Sequence, residues 1–239
     1  MEILENIEII DLTLFFKKEK ILVFTDTHLG YEEALNKKGV LIPKFHFKDL
    51  MKKLEKILKK TNPKKIILLG DMKHEFGKIS DDEWRDAKKL IDFLKKNSDE
   101  LILIKGNHDK IIEPIAKKFG LEVKTKYLSK NSFFCHGDFI PEELKSKDYL
   151  KDIENIFIGH EHPAITLNDG VRTEKFKCFL KGTWENKNLI VLPSFNLLTT
   201  GTDVLTGKLL SPFLKQDLKP FEAYVVSEKI YNFGKLINL

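Results

Sequence analysis

Five short apolar runs in this chain each stop at a turn made of Gly, Asp, Asn and His. Ile21–Thr25 runs into Asp26-Thr27-His28, and Lys65–Leu69 into Gly70-Asp71. Leu101–Lys105 runs into Gly106-Asn107-His108-Asp109, Ser132–Cys135 into His136-Gly137, and Asn155–Ile158 into Gly159-His160-Glu161-His162. Runs of that length read as buried strands, and amphipathic helices separate the early ones, which is the signature of an α/β fold. In an α/β sheet the carboxyl ends of the strands line one edge, where ligands bind. Five turns therefore deliver carboxylates, amides and imidazoles to one place.

The helices are legible from period and caps. In His46–Lys60, Phe47, Leu50, Met51, Leu54, Ile57 and Leu58 recur at helical spacing. Ser80–Asn97 opens on a capping box of Ser80 and Glu83, with Trp84, Ala87, Ile91 and Leu94 on one face. Lys110–Phe119 reads as a helix stopped by Gly120. Glu5–Ile10 and Leu12–Phe16 read as a hairpin or edge strands, Lys175–Leu180 and Leu189–Pro193 as late strands, and Thr199–Leu218 as an irregular excursion. No repeat or Pro/Gly-rich linker divides the 239 residues, so residues 1–239 are expected to form a single domain.

Composition removes several classes. At 42% hydrophobic and 32% charged residues, the chain is neither disordered nor a membrane protein. Two cysteines, Cys135 and Cys178, form no CxxC pair and no disulfide framework. The acidic, alternating N-terminus lacks the regions of a signal peptide, and a cytoplasmic protein is expected. The net charge is +5, with arginine only at Arg85 and Arg172. A mildly basic surface suits a nucleic acid or nucleotide without requiring one.

Of the seven histidines only His46 lies outside the turns or the loop after Asp71. Imidazole with carboxylate and amide oxygen makes a ligand set of intermediate hardness, suited to Mn, Fe, Co, Ni or Zn, with manganese first. A carboxylate can bridge two such ions, which together clamp a phosphate for in-line attack. Each block has a bland reading: Asp26 and Asp71 as turn residues, Gly106-Asn107 as a turn pair. Five such coincidences in order are harder to accept than one site.

The ordered series Asp26-x-His28, Gly70-Asp71, Gly106-Asn107-His108-Asp109, His136, Gly159-His160-x-His162 resembles the calcineurin-like metallophosphoesterase superfamily. The resemblance implies a four-layer sandwich, two mixed β-sheets flanked by helices. It implies two divalent metal ions: Asp26, His28 and His162 around the first, Asn107, His136 and His160 around the second, and Asp71 bridging. It implies further that a metal-bridging hydroxide attacks phosphorus while His108 protonates the leaving oxygen, and Asp109 is suited to orient His108. Asp26-Thr27-His28-Leu29-Gly30-Tyr31-Glu32, Gly70 to Phe76 and Gly201-Thr202-Asp203 are similar to archaeal SbcD-related, ICC-like phosphoesterases. That narrower resemblance adds His74 and Arg85 near the site; His74 reads as a supporting donor, a substrate contact or a polar loop residue, and Arg85 reads first as a solvated or ion-paired helix residue. Pro193-Ser194-Phe195-Asn196 lines the cleft or is a plain loop.

The expected activity is a metal-dependent phosphodiesterase or nuclease on DNA or RNA. Its rivals are a phosphoesterase of small nucleotides or monoesters, and a non-catalytic scaffold on the same fold. Sequence leaves the oligomeric state open, a homodimer included.

Overall fold

A computed structural model describes residues 1–42, 45–75, 80–168 and 170–239. Two mixed sheets face each other. The first holds, in spatial and chain order, β1 (Glu2–Leu4), β2 (Ile7–Ile10), β3 (Thr13–Phe16), β4 (Ile21–Phe24), β5 (Lys65–Leu69), β6 (Glu100–Ile104) and β7 (Val123–Lys124). It is antiparallel up to β4 and parallel from there on. The change has a cause in chain length: tight turns link the first strands, whereas helices carry the later crossovers. Helices α1 (Tyr31–Lys37) and α2 (His46–Thr61) lie between β4 and β5, α3 (Asp81–Lys96) follows β5, and α4 (Glu113–Lys118) follows β6.

The second sheet is built from β8 (Lys126–Ser129), β9 (Ser132–Cys135), β10 (Asn155–Ile158), β11 (Pro163–Asn168), β12 (Thr173–Trp184), β13 (Lys187–Val191) and β14 (Thr202–Asp203). Strands β15 (Glu222–Val226) and β16 (Ile230–Lys235) complete it. Its order is β14-β11-β12-β13-β10-β9-β8, with β15 also on β12 and β16 on β15. The same edge of the long β12 therefore serves two partners, β11 up to Lys177 and β15 from Cys178 on.

Strand alternation divides the apolar side chains cleanly. Leu22 and Phe24 face α2 and α3, joining Leu50, Leu54, Ala87, Ile91 and Leu94. Val23, between them, faces the other way and joins Leu14, Ile67, Phe134, Phe157 and Phe179 in the layer between the sheets. There the Phe134 and Phe157 rings stack at 5.0 Å. The far side of the second sheet, with Phe133, Ile156 and Leu180, is covered by short elements carrying Leu144, Leu150, Val204 and Phe213. These are α5 (Lys147–Leu150) and 3-10 turns such as Pro212–Leu214. The fourth layer of the expected sandwich is thus made of single turns rather than long helices.

Several boundaries move. The capping box on α3 forms, Ser80 Oγ accepting from Glu83 N and the Glu83 carboxylate from Ser80 N. The helix expected from Lys110 begins at Glu113, because Asp109 to Ile112 form a turn and Pro114 sits in the first helical turn. Thr199–Leu218, read as irregular, contains β14 and two 3-10 turns. The β15–β16 hairpin and α1 carried too little apolar period to be read beforehand. Phe76, at the end of one motif, lies outside the described residues.

Candidate metal centre

Each expected turn does end its strand on the same side, and the backbone there is unusual. Asp26, His28, Asp71, His160 and His162 all have positive φ, between 43° and 64°. Left-handed backbone disfavours most L-residues, though Asp and His tolerate it better than branched ones. Holding five such residues costs on the order of 1 kcal/mol each or more, and such strain clusters at functional sites. The glycines allow close approach: a Cβ on Gly106 would lie 2.0 Å from Asp71 Oδ1, and one on Gly159 would lie 2.1 Å from Thr25 Oγ1.

Asp26 is fully buried. Its Oδ2 accepts from His160 N at 3.1 Å and from the Thr25 hydroxyl at 2.8 Å. That leaves Oδ1 turned to His162 Nε2, 3.1 Å away, and to His28 Nε2 at 3.9 Å. The two Nε2 atoms themselves stand 3.2 Å apart. Two ring nitrogens can share one proton at most, and Asp26 Oδ1 accepts no hydrogen bond. A cation would satisfy all three donors, so this group fits a metal ion on its own chemistry.

A second group adjoins it. Asp71 Oδ2 lies 3.3 Å from His136 Nε2, and Asp71, His136 and His160 bring ligand atoms within 4.8 Å of one another. Asn107 Oδ1 joins at 3.2 Å from His136 Nε2, while His136 Nδ1 donates to Leu69 O at 3.0 Å, which aims Nε2 inward. Asp71 Oδ2 is also 3.9 Å from His28 Nε2 and 3.9 Å from His108 Nε2. One carboxylate oxygen therefore stands between the two groups and His108.

Electrostatics follow from burial and crowding. Burial opposes the charged form of Asp26, but His162, His136 and His28 outweigh it and hold the carboxyl well below its ordinary range. Asp71 is likewise lowered, burial being overcome chiefly by His136. Burial pushes His28 down to about 3, with His162 adding to it, and His160 to about 4. His136 goes the other way: burial works against its charge, yet the hydrogen bond and charge of Asp71 raise it to about 10. Without metal, a protonated His136 offsets part of the charge on Asp71 and Asp26.

His108 is half-buried beside this pair. Its backbone N–H donates to Asp71 Oδ1 at 2.9 Å, and its Nδ1 donates to the carbonyl of His74. The His74 ring stacks on it at 5.5 Å, and Tyr31 meets the His74 ring edge-on at 4.6 Å. His74 is thus part of the cluster, as expected. Asp109 differs from expectation. Its carboxylate accepts from the backbone of Gly106, Met72 and Lys73, tying two turns together, and the His108 ring is oriented by a carbonyl instead. Burial, reinforced by Asp71, raises Asp109 to about 7. Arg85 is exposed on α3 and bound to Asp82 at 2.6 Å and Asp86 at 3.2 Å.

Two supports had no readable signal. Glu83 Oε1 accepts from the backbone of His74 and Glu75, so the capping residue of α3 also fixes the His74 loop. His46, set aside as an outlier, accepts from Leu197 N through Nε2 at 3.2 Å. Only its isolation among charged and apolar helix residues could have drawn attention to it.

A family model described as calcineurin-like phosphoesterase matches residues 19–217. Among solved structures, the Pseudomonas putida nuclease MPE is similar with a TM-score of 0.66 at 16% identity, over 93% of this chain and 92% of that one. Vacuolar Protein Sorting 29 from Cryptosporidium parvum has a TM-score of 0.42 at 13% identity, over 90% and 97%. Yfce, a phosphoesterase from E. coli, has 0.39 at 11%, over 87% and 88%. No curated protein matches the chain in sequence.

Proposed function

Because the chain belongs to the calcineurin-like phosphoesterase family and is a metal-dependent phosphoesterase, we propose that it cleaves phosphodiesters at a two-metal centre, with nucleic acid as the substrate. One observation carries the reading: Asp71 Oδ2 lies within 4 Å of His28, His136 and His108 together. Asp26, His28 and His162 would hold one ion, Asn107, His136 and His160 the other, and Asp71 would reach both. When bound, such a pair lowers the pKa of water and neutralises charge on the phosphate oxygens.

The chain's own residues do the rest. With its N–H on Asp71 and Nδ1 on the His74 carbonyl, His108 keeps Nε2 on the side of the cluster. An imidazole so placed can protonate the departing oxygen, a contribution of about 10²–10⁴ in rate. The His74 ring, stacked on His108, limits its rotation. Manganese suits the N/O donors, which include no thiolate. A diester and a polymer are favoured by the positive net charge, by the similarity to SbcD-related phosphoesterases, and by the nuclease at a TM-score of 0.66, whose likeness is one of fold.

The test compares bis-p-nitrophenyl phosphate, p-nitrophenyl phosphate and single-stranded DNA across a metal series. Turnover of the diester and of DNA with Mn²⁺ is expected. Strong preference for the monoester, with DNA left intact, would refute the substrate; a single equivalent of metal in the active enzyme would refute the two-metal centre.

A further inference from the structure

The segment after β13, Leu192 to Leu198, runs along the turn that carries Asp26. Phe195 N donates to Thr25 O at 2.9 Å, and Asn196 N to Asp26 O at 3.0 Å; the Ser194 hydroxyl adds a second bond to Asp26 O at 3.3 Å. Both peptides flanking Asp26 are thereby fixed while its φ stays at 56°. This strap has no regular structure of its own. Its carbonyls at Ser194 and Asn196 both accept from Lys177 Nζ, at 2.7 Å each, and Ser194 Oγ lies 3.4 Å from the same nitrogen.

Lys177 is well placed for this. It is the last residue of β12 paired with β11, immediately before β12 takes β15 as its partner. The half-buried side chain reaches the strap with its Nζ. Burial lowers its pKa to about 7, with Asp26 acting against the shift. His46 holds the next residue by accepting from Leu197 N. Burial and the charge of Lys177 lower His46 to about 4, so it has the lone pair this bond needs.

The other ligand group meets the Asp26 turn through His160 N, which donates to Asp26 Oδ2 at 3.1 Å, but His136 within it has contacts of its own. His136 is set by Leu69 O, and Gly159 N donates to His136 O. Strap and clamp act on the Asp26 side.

We propose that Lys177 is a positioning residue for the Asp26 turn: by clamping the Ser194 and Asn196 carbonyls it sets metal affinity at the Asp26–His28–His162 position and leaves the Asp71–His136–His160 position largely untouched. The proposal rests on the two-metal reading above. A lysine suits the task because one ammonium can donate to several carbonyls at once, and methionine removes those donors at similar volume.

The experiment titrates Mn²⁺ into metal-free wild type, Lys177→Met and Ser194→Ala by calorimetry, and locates ions by anomalous diffraction at limiting metal. Ser194→Ala deletes the side-chain bond to Asp26 and serves if Lys177→Met does not fold. Wild type should bind two ions. In either variant one affinity should fall at least tenfold while the other stays within about twofold, and density should be lost beside Asp26. Two ions bound as in wild type, or an equal loss at both positions, would overturn the clamp. A wild type holding one ion would instead overturn the two-metal reading.

Discussion

Loading the centre with Mn²⁺ should expel a proton from His136. In the metal-free protein this imidazole sits between Asp71 Oδ2 and Leu69 O and is raised to about 10. At pH 7 it is charged, and a metal ligand must be neutral. The gap of about three units between pH 7 and that pKa corresponds to roughly 4 kcal/mol at ~1.36 kcal/mol per unit, a cost that each ion entering the group must meet. His28 and His160, at about 3 and 4, are already neutral and release nothing. One proton should therefore leave the Asp71–His136–His160 group as its ion enters. Affinity at the His136 position should rise about tenfold per pH unit from pH 6.5 to 8.5, about a hundredfold in all. Calorimetry in two buffers of different ionisation enthalpy reads the proton directly, and a pH series of dissociation constants reads the slope. Affinity that is flat over this range, with no buffer-dependent heat, would refute the assignment of the charge to His136.

The same group governs stability without metal. Its folded pKa is raised above the unfolded value of 6.5, so its contribution is complete below pH 6.5 and fades as pH climbs towards 10; the Tm of chelator-treated protein should fall between pH 6.5 and 9, and that of Mn²⁺-loaded protein should not follow it. His108→Ala should keep both ions by elemental analysis while losing about 10²–10⁴ in kcat on diesters with alkyl leaving groups, and much less on bis-p-nitrophenyl phosphate, whose leaving group needs little protonation. Equal losses on both substrates would remove His108 from the proton-transfer role.

The turns were legible because each couples a recognisable strand to a residue type that packing does not ask for. Five strands ending in Gly, Asp, Asn and His turns singled out Asp26, His28, Asp71, Asn107, His136, His160 and His162, and the structure brings these side chains together. What sequence could not supply was the direction of individual side chains. Asp109 follows His108 directly, which suggested an imidazole partner; the carboxylate turns back onto the amides of Gly106, Met72 and Lys73. Arg85 lies on a helix near the His74 loop, yet two aspartates of that helix bind it. Lys177 and His46 gave no signal, because their roles depend on contacts across 17 to 151 residues of chain. The C-terminal hairpin was missed for a related reason: β16 is mostly exposed and lacks an apolar alternation.

Asp26, His28, Asp71 and Asn107 stem from the first sheet, and His136, His160 and His162 from the second. Cations lodged among them would belong to neither half. They would rivet a seam, so that chelation should loosen the join between the sheets, and holding metal and holding the two halves in register would become a single task for this chain.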